Sequence, residues 1–188
     1  MRFTENVIIR ADAGKTMGVG HIMRCLSLAE AMRDQKVHCV FVASNEVPKT
    51  MVRERGFDFI TLNHKETSFV SGELEELIEE YSPRFVVLDS YLPTPEYFEN
   101  LQKLSPLVYF DDIKAFPYPC NILVNYNIYG MDWQQEYRRR QLPFSSKLIL
   151  GPQYAPLRKE FHDLSCRNLE APVQKILVST GGADPQNV

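Results

Sequence analysis

The sequence predicts an α/β fold: a parallel sheet with helices on both faces. Two observations carry this. Apolar runs of four to seven residues alternate regularly with amphipathic runs along the chain. The apolar runs are also nearly continuous rather than alternating, as in "VIIRAD", "HCVFVA" and "FVVLD". Strands buried on both faces by crossover helices have that composition.

In order, "VIIRAD" is a strand and "GHIMRCLSLAEAMRDQ" a helix, with Ile22, Cys25, Leu26 and Ala29 at the i, i+3, i+4, i+7 spacing of a buried stripe. "HCVFVAS" is the second strand, "VPKTMVRERG" a short helix ended by Gly56, and "FDFITL" the third strand. "SGELEELIEEYS" is a helix with Ser71 as N-cap and acidic residues in its first turns. "RFVVLDS" follows as a strand, then "TPEYFENLQKL" as a helix with Pro95 at its start. "PLVYFDD" and "NILVNYN" are strands joined by the Pro-rich "KAFPYPC". "MDWQQEYRRRQ" is helical, "KLILGP" a short strand, "APLRKEFHDL" a second helix, and "KILVSTG" a last strand.

That last strand runs into a glycine turn, and the preceding "CRNLEAPVQ" has the polar, proline-bearing composition of a linker. The expected division is a domain over 1–165, with 166–188 a linker and the first strand and loop of a second domain. An N-terminal fragment of a longer protein is the preferred explanation.

The 188 residues suffice for one well-buried domain. A formal charge of -3 leaves no electrostatic footprint for nucleic acid. "EYRRRQ" is the one basic run, and a solvated helix face accounts for it. No apolar run approaches the ~18 residues of a membrane span, and the N-terminus is too polar for a secretory signal. A cytoplasmic location is the expectation. Cys25, Cys39, Cys120 and Cys166 are scattered, without ligand spacing, and read as reduced structural thiols.

"DAGKTMGVGHIMR" is the stretch that raises chemistry. A phosphate-binding Walker loop requires glycine where Ile9 stands, and the dinucleotide fingerprint requires its third glycine where Met23 stands. Neither nucleotide loop is present. What remains is a loop with Gly14, Gly18 and Gly20 leading into a helix start, suited to close approach by a phosphate or a polar sugar. His21 lies at that start, where the local field favours the neutral imidazole a general base needs. A capping or surface histidine remains the alternative; for His38, His64 and His162, surface or structural roles are favoured.

Ligands of parallel sheets bind outside the carboxyl ends of the strands. Polar residues collect there: Asp12, then Asp89-Ser90-Tyr91, Asp111-Asp112, and Asn125-Tyr126-Asn127. Four such groups on one edge describe a lined cleft. Of the two adjacent aspartates only one is expected to face it, and no metal is expected. No cofactor is expected either.

At "RADAGKTMGVGHIMRCLSLAEAM" the chain resembles the PseG family of nucleotide-sugar hydrolases, whose relatives include SpsG-like spore-coat polysaccharide proteins. "VVLDSY", "YFDDI", "ILVNYN", "LILGPQYAPLRKEF" and "ILVSTGGADPQN" extend the resemblance in order across the chain. It implies a Rossmann-like parallel sheet with helices on both faces, the N-terminal half of a GT-B fold similar to the MurG transferase, with the active site in the cleft between two such domains. It also implies hydrolysis of UDP-2,4-diacetamido-2,4,6-trideoxy-β-L-altropyranose in pseudaminic acid biosynthesis. By the same resemblance His21 is the essential histidine and Tyr91 a functional tyrosine, with UDP held mainly by the second domain.

The expected chemistry is inverting C–O cleavage by a His21-activated water, with Tyr91 positioning sugar or water. UDP is a good leaving group, so stabilising its diphosphate substitutes for a general acid. Asp12, Gly18 and Gly20 shape the loop; Asp89, Asp112 (or Asp111) and Asn125 are the further substrate-binding candidates. A GT-B glycosyltransferase using a UDP-sugar donor, and a catalytically silent nucleotide-sugar-binding domain, remain open alternatives.

Overall fold

The computed structural model describes residues 3–14, 18–63, 69–164, 172, 173 and 176. Apart from Pro172, Val173 and Ile176, the segment 166–188 with its expected strand "KILVSTG" lies outside the described residues, as do His64, Cys166, Lys15 and Thr16.

Seven strands form one wholly parallel sheet: β1 (Glu5–Ala11), β2 (Val37–Ala43), β3 (Asp58–Thr61), β4 (Phe85–Asp89), β5 (Leu107–Phe110), β6 (Ile122–Asn125) and β7 (Lys147–Leu150). Their order is β3-β2-β1-β4-β5-β6-β7. The chain steps outward from β1 to β3, then returns to β4 on the other side of β1. The carboxyl ends of β1 and β4 therefore flank a topological switch point, where such sheets open a crevice. Register across that junction pairs Ala11 with Asp89.

Helices α1 (Gly20–Asp34) and α2 (Lys49–Glu54) cover one face; α3 (Gly72–Tyr81), α4 (Pro95–Leu104) and α5 (Gln134–Gln141) cover the other. Ile9, Leu26, Ala29 and Phe41 belong to the first core layer, and Ile8, Leu74, Phe98 and Leu123 to the second. Local signals act as read: the Ser71 hydroxyl accepts from the Leu74 N–H at 3.3 Å, a cap contributing about 1 kcal/mol. Pro95 opens α4, and Gly56, at φ +76°, turns the chain after α2.

The helix expected over "APLRKEFHDL" does not form. Residues 155–158 are irregular, with the Leu157 N–H donating back to the Ala155 carbonyl at 2.8 Å, and only Lys159–Phe161 makes a single 3₁₀ turn. Pro156 disfavours helical backbone in Ala155 (ψ 126°), and Arg158 is extended at ψ 151°. No helix among the described residues covers the α1 side of β5–β7. Instead this segment borders an apolar groove of about 430 Å³ with Val108, Phe110, Val124 and Ile149.

Cys25, Cys39 and Cys120 are free and buried. Among the described residues no helix is long and apolar enough to cross a membrane.

Candidate active site at the switch point

The second residue of α1, His21, lies against the end of β4. Its Nδ1 is 2.5 Å from Asp89 Oδ1, and Asp89 is fully buried. Only 5% of the His21 surface is exposed. Three residues along the same helix face, Arg24 closes on the same carboxylate. Its Nε donates to Oδ2 at 2.5 Å and its Nη2 to Oδ1 at 2.5 Å. Burial pushes the Asp89 carboxyl up. Hydrogen bonds from Arg24 and His21, with the charge of Arg24, more than offset this and hold it below its ordinary value.

Arg24 also reaches sideways. Nη1 donates to Asp112 Oδ2 at 2.7 Å and to the Tyr126 hydroxyl at 3.0 Å. The guanidinium lies over the rings of Phe110 and Tyr126, 5.1 and 5.4 Å from their centroids. Asp112 Oδ2 in turn accepts from the Tyr91 hydroxyl at 2.6 Å, and Oδ1 from Asn127 Nδ2 at 2.7 Å. Tyr91 is 42% exposed, with its ring edge-on to His21 at 4.5 Å. Burial, then the Asp112 hydrogen bond and charge, raise its phenol well above the ordinary range. Residues from β4, α1 and the segments after β5 and β6 thus converge beside the switch point.

His21, Asp89, Tyr91 and Asp112 come together as a cluster, with Asp89, expected to bind substrate, instead fully buried against His21 and Arg24; the other sequence candidates do not join it. Asn125 is fully buried: Nδ2 donates to the Tyr137 hydroxyl at 3.0 Å, and Oδ1 accepts from the backbone and side chain of Asn127. Asn125 supports Asn127 from beneath and presents no amide group to the cleft. Asp12 is buried in an ion pair with Arg10 at 2.7 Å, and its Oδ1 accepts from the Ser44 backbone and hydroxyl. It ties the end of β1 to the end of β2.

The two adjacent aspartates separate as expected. Asp111 turns inward, accepting from the hydroxyls of Tyr118 (2.9 Å) and Tyr137 (2.5 Å), while Asp112 stands in the cluster. Gly18, at φ +69°, needs its glycine for backbone reasons and pairs with Gly14 across the loop. Gly20 does not: its φ is not positive, and an added Cβ would meet nothing within 4 Å.

Sequence reasoning missed Arg24. The stripe of apolar residues draws attention to Ile22, Cys25 and Leu26. Yet Arg24, three residues after His21 on a buried helix face, is itself only 9% exposed. A cation on the sheet side of the stripe was the available signal, since buried arginines need carboxylate partners.

No protein-family model matches the chain. Over 97% of its length it is 28% identical to the UDP-2,4-diacetamido-2,4,6-trideoxy-beta-L-altropyranose hydrolase of Campylobacter jejuni, covering 62% of that protein. Over the same share it is 27% identical to an uncharacterized protein of Methanocaldococcus jannaschii, covering 38% of it. The chain therefore spans less than two thirds of the length of either relative. Among solved structures it is similar to MurG of Acinetobacter baumannii, with a TM-score of 0.50 and 8% identity over 65% of this chain and 41% of that one. At that identity the likeness concerns the fold alone. The chain has a Rossmann-like α/β fold related to the GT-B type, and its relative of named activity is a UDP-sugar hydrolase.

Proposed function

We propose that the protein containing this chain hydrolyses a UDP-sugar, UDP-2,4-diacetamido-2,4,6-trideoxy-β-L-altropyranose by the likeness to its Campylobacter relative, with inversion at the anomeric carbon. The observation that carries this reading is the His21–Asp89 pair at the switch point. A buried carboxylate accepting from Nδ1–H sets the tautomer, so Nε2 carries the lone pair that takes a proton from water. Tyr91, edge-on to His21 and fixed by Asp112, positions that water or the sugar.

The water proton moves to Nε2, the water oxygen bonds to the anomeric carbon, and the C–O bond to the diphosphate breaks with its electron pair leaving on UDP. Such displacement requires the base on the face opposite the leaving group. Residues 1–165 form the catalytic domain in this reading, and 166–188 open a second one that holds most of the UDP. The product would serve surface-polysaccharide biosynthesis.

Turnover in oxygen-18 water by the complete protein, with mass spectrometry of both products, tests the reading. Label in the free sugar is expected. Label in UDP would mean attack at phosphorus and would overturn it, and UDP release only on adding an acceptor would make the protein a transferase.

A further inference from the structure

Arg24 touches both halves of the cluster. It grips Asp89 with a two-point fork and Asp112 with its third nitrogen, and two aromatic rings fix its plane. A lysine at this position has one nitrogen and could not span these oxygens. We propose that Arg24 is a positioning residue that decides where the proton of His21 resides. By keeping Asp89 a carboxylate, it holds that proton on Nδ1 and leaves Nε2 as the basic atom. The inference rests on the reading of His21 as base.

Asp89 is fully buried, and removing a carboxylate from water costs several kcal/mol unless a cation and hydrogen bonds replace the solvent. Arg24 supplies two charge-assisted bonds, and in this reading His21 adds a third by donating Nδ1–H; Arg24 Nη2 also lies 3.2 Å from that nitrogen, but its shorter bond, at 2.5 Å, goes to Asp89 Oδ1.

Without Arg24, Asp89 has two ways to be satisfied. It can take up a proton, and the resulting O–H points at Nδ1 and drives the ring proton to Nε2. Or it can capture His21 as imidazolium, with protons on both nitrogens. In either state the lone pair on Nε2 is lost.

The other groups around the ring do not substitute. Burial and the charge of Asp89 push the Cys25 thiol well up, and the Tyr91 phenol is likewise raised, so both remain neutral. Asp112 is a second anion, held on the far side of the guanidinium.

The test uses complete protein labelled with nitrogen-15 histidine and two-bond proton–nitrogen NMR at neutral pH, which reports each ring nitrogen's protonation. Wild type is expected to show a protonated Nδ1 and a bare Nε2 for His21. Arg24→Gln, and the charge-matched Arg24→Gln/Asp112→Asn in case the single variant does not fold, should lose the bare Nε2 signal. Their kcat should fall by about 10²-fold with KM changed less than about threefold. A folded variant that keeps the wild-type nitrogen pattern would overturn the proposal, as would a wild type already protonated on Nε2. The pattern is read without substrate, so failure of the hydrolase reading and failure of this one are distinguishable.

Discussion

Replacing Tyr137 by phenylalanine removes one oxygen and keeps the ring, so its effect isolates the polar support beneath the site. That hydroxyl donates to Asp111 Oδ2 at 2.5 Å and accepts from Asn125 Nδ2 at 3.0 Å, all three residues being buried. A hydrogen bond to a charged group is worth about 1.5–3 kcal/mol, and an orphaned buried amide N–H adds about 1 kcal/mol. Asp111 keeps the Tyr118 hydroxyl and the backbone N–H groups of Ile113 and Lys114, which softens the loss. The expected cost is about 2–3 kcal/mol, or roughly 5–10 °C in Tm for a domain of this size. Urea unfolding at neutral pH, with the slope unchanged, measures it. A loss under about 0.5 kcal/mol would refute the claim that Asn125 and Asp111 are locked into the scaffold.

Two further variants follow the same reasoning. Burial raises the Asp12 carboxyl, but the Arg10 ion pair and Ser44 bonds bring it below its ordinary value. Its contribution is therefore present above the unfolded value near ~3.9 and is lost as pH falls through the folded value. Asp12→Asn should cost about 3 kcal/mol at neutral pH and show a shallower loss of stability below about pH 4, read from urea midpoints across pH. Gly20→Ala places a methyl group in open space at the first position of α1, so stability should hold or rise by about 0.5 kcal/mol. If ligand approaches the backbone there, KM should rise about tenfold, measured by steady-state kinetics.

All seven described strands and the five helices were legible because each is a local pattern. Continuous apolar runs mark β1 and β4, Ser71 caps α3, and Pro95 starts α4. Position at the strand ends marks the edge that gathers Asp89, Tyr91 and Asp112, while His21 is read from the helix start after the glycine loop.

What could not be read is which way each polar group turns. Asp12, Asn125 and Asp89 all sit at strand ends and are all buried; what separates them is the partner each meets, Arg10 with Ser44 for Asp12, Tyr137 for Asn125, and His21 with Arg24 for Asp89. Arg24 was hidden for a related reason: periodicity weighs apolar residues, and its carboxylate partners lie 65 and 88 positions away. The segment after Gly151 fails differently. Its charge and apolar spacing are helical, but Pro156 removes an N–H and biases its neighbour toward extended backbone.

The most direct test of the central claim is turnover of His21→Gln in the complete protein with the UDP-altropyranose substrate. Loss of a general base should lower kcat by about 10³-fold while UDP-sugar binding persists. Turnover within about twofold of wild type would mean that the switch-point histidine is not the base, and the active site would have to be sought elsewhere.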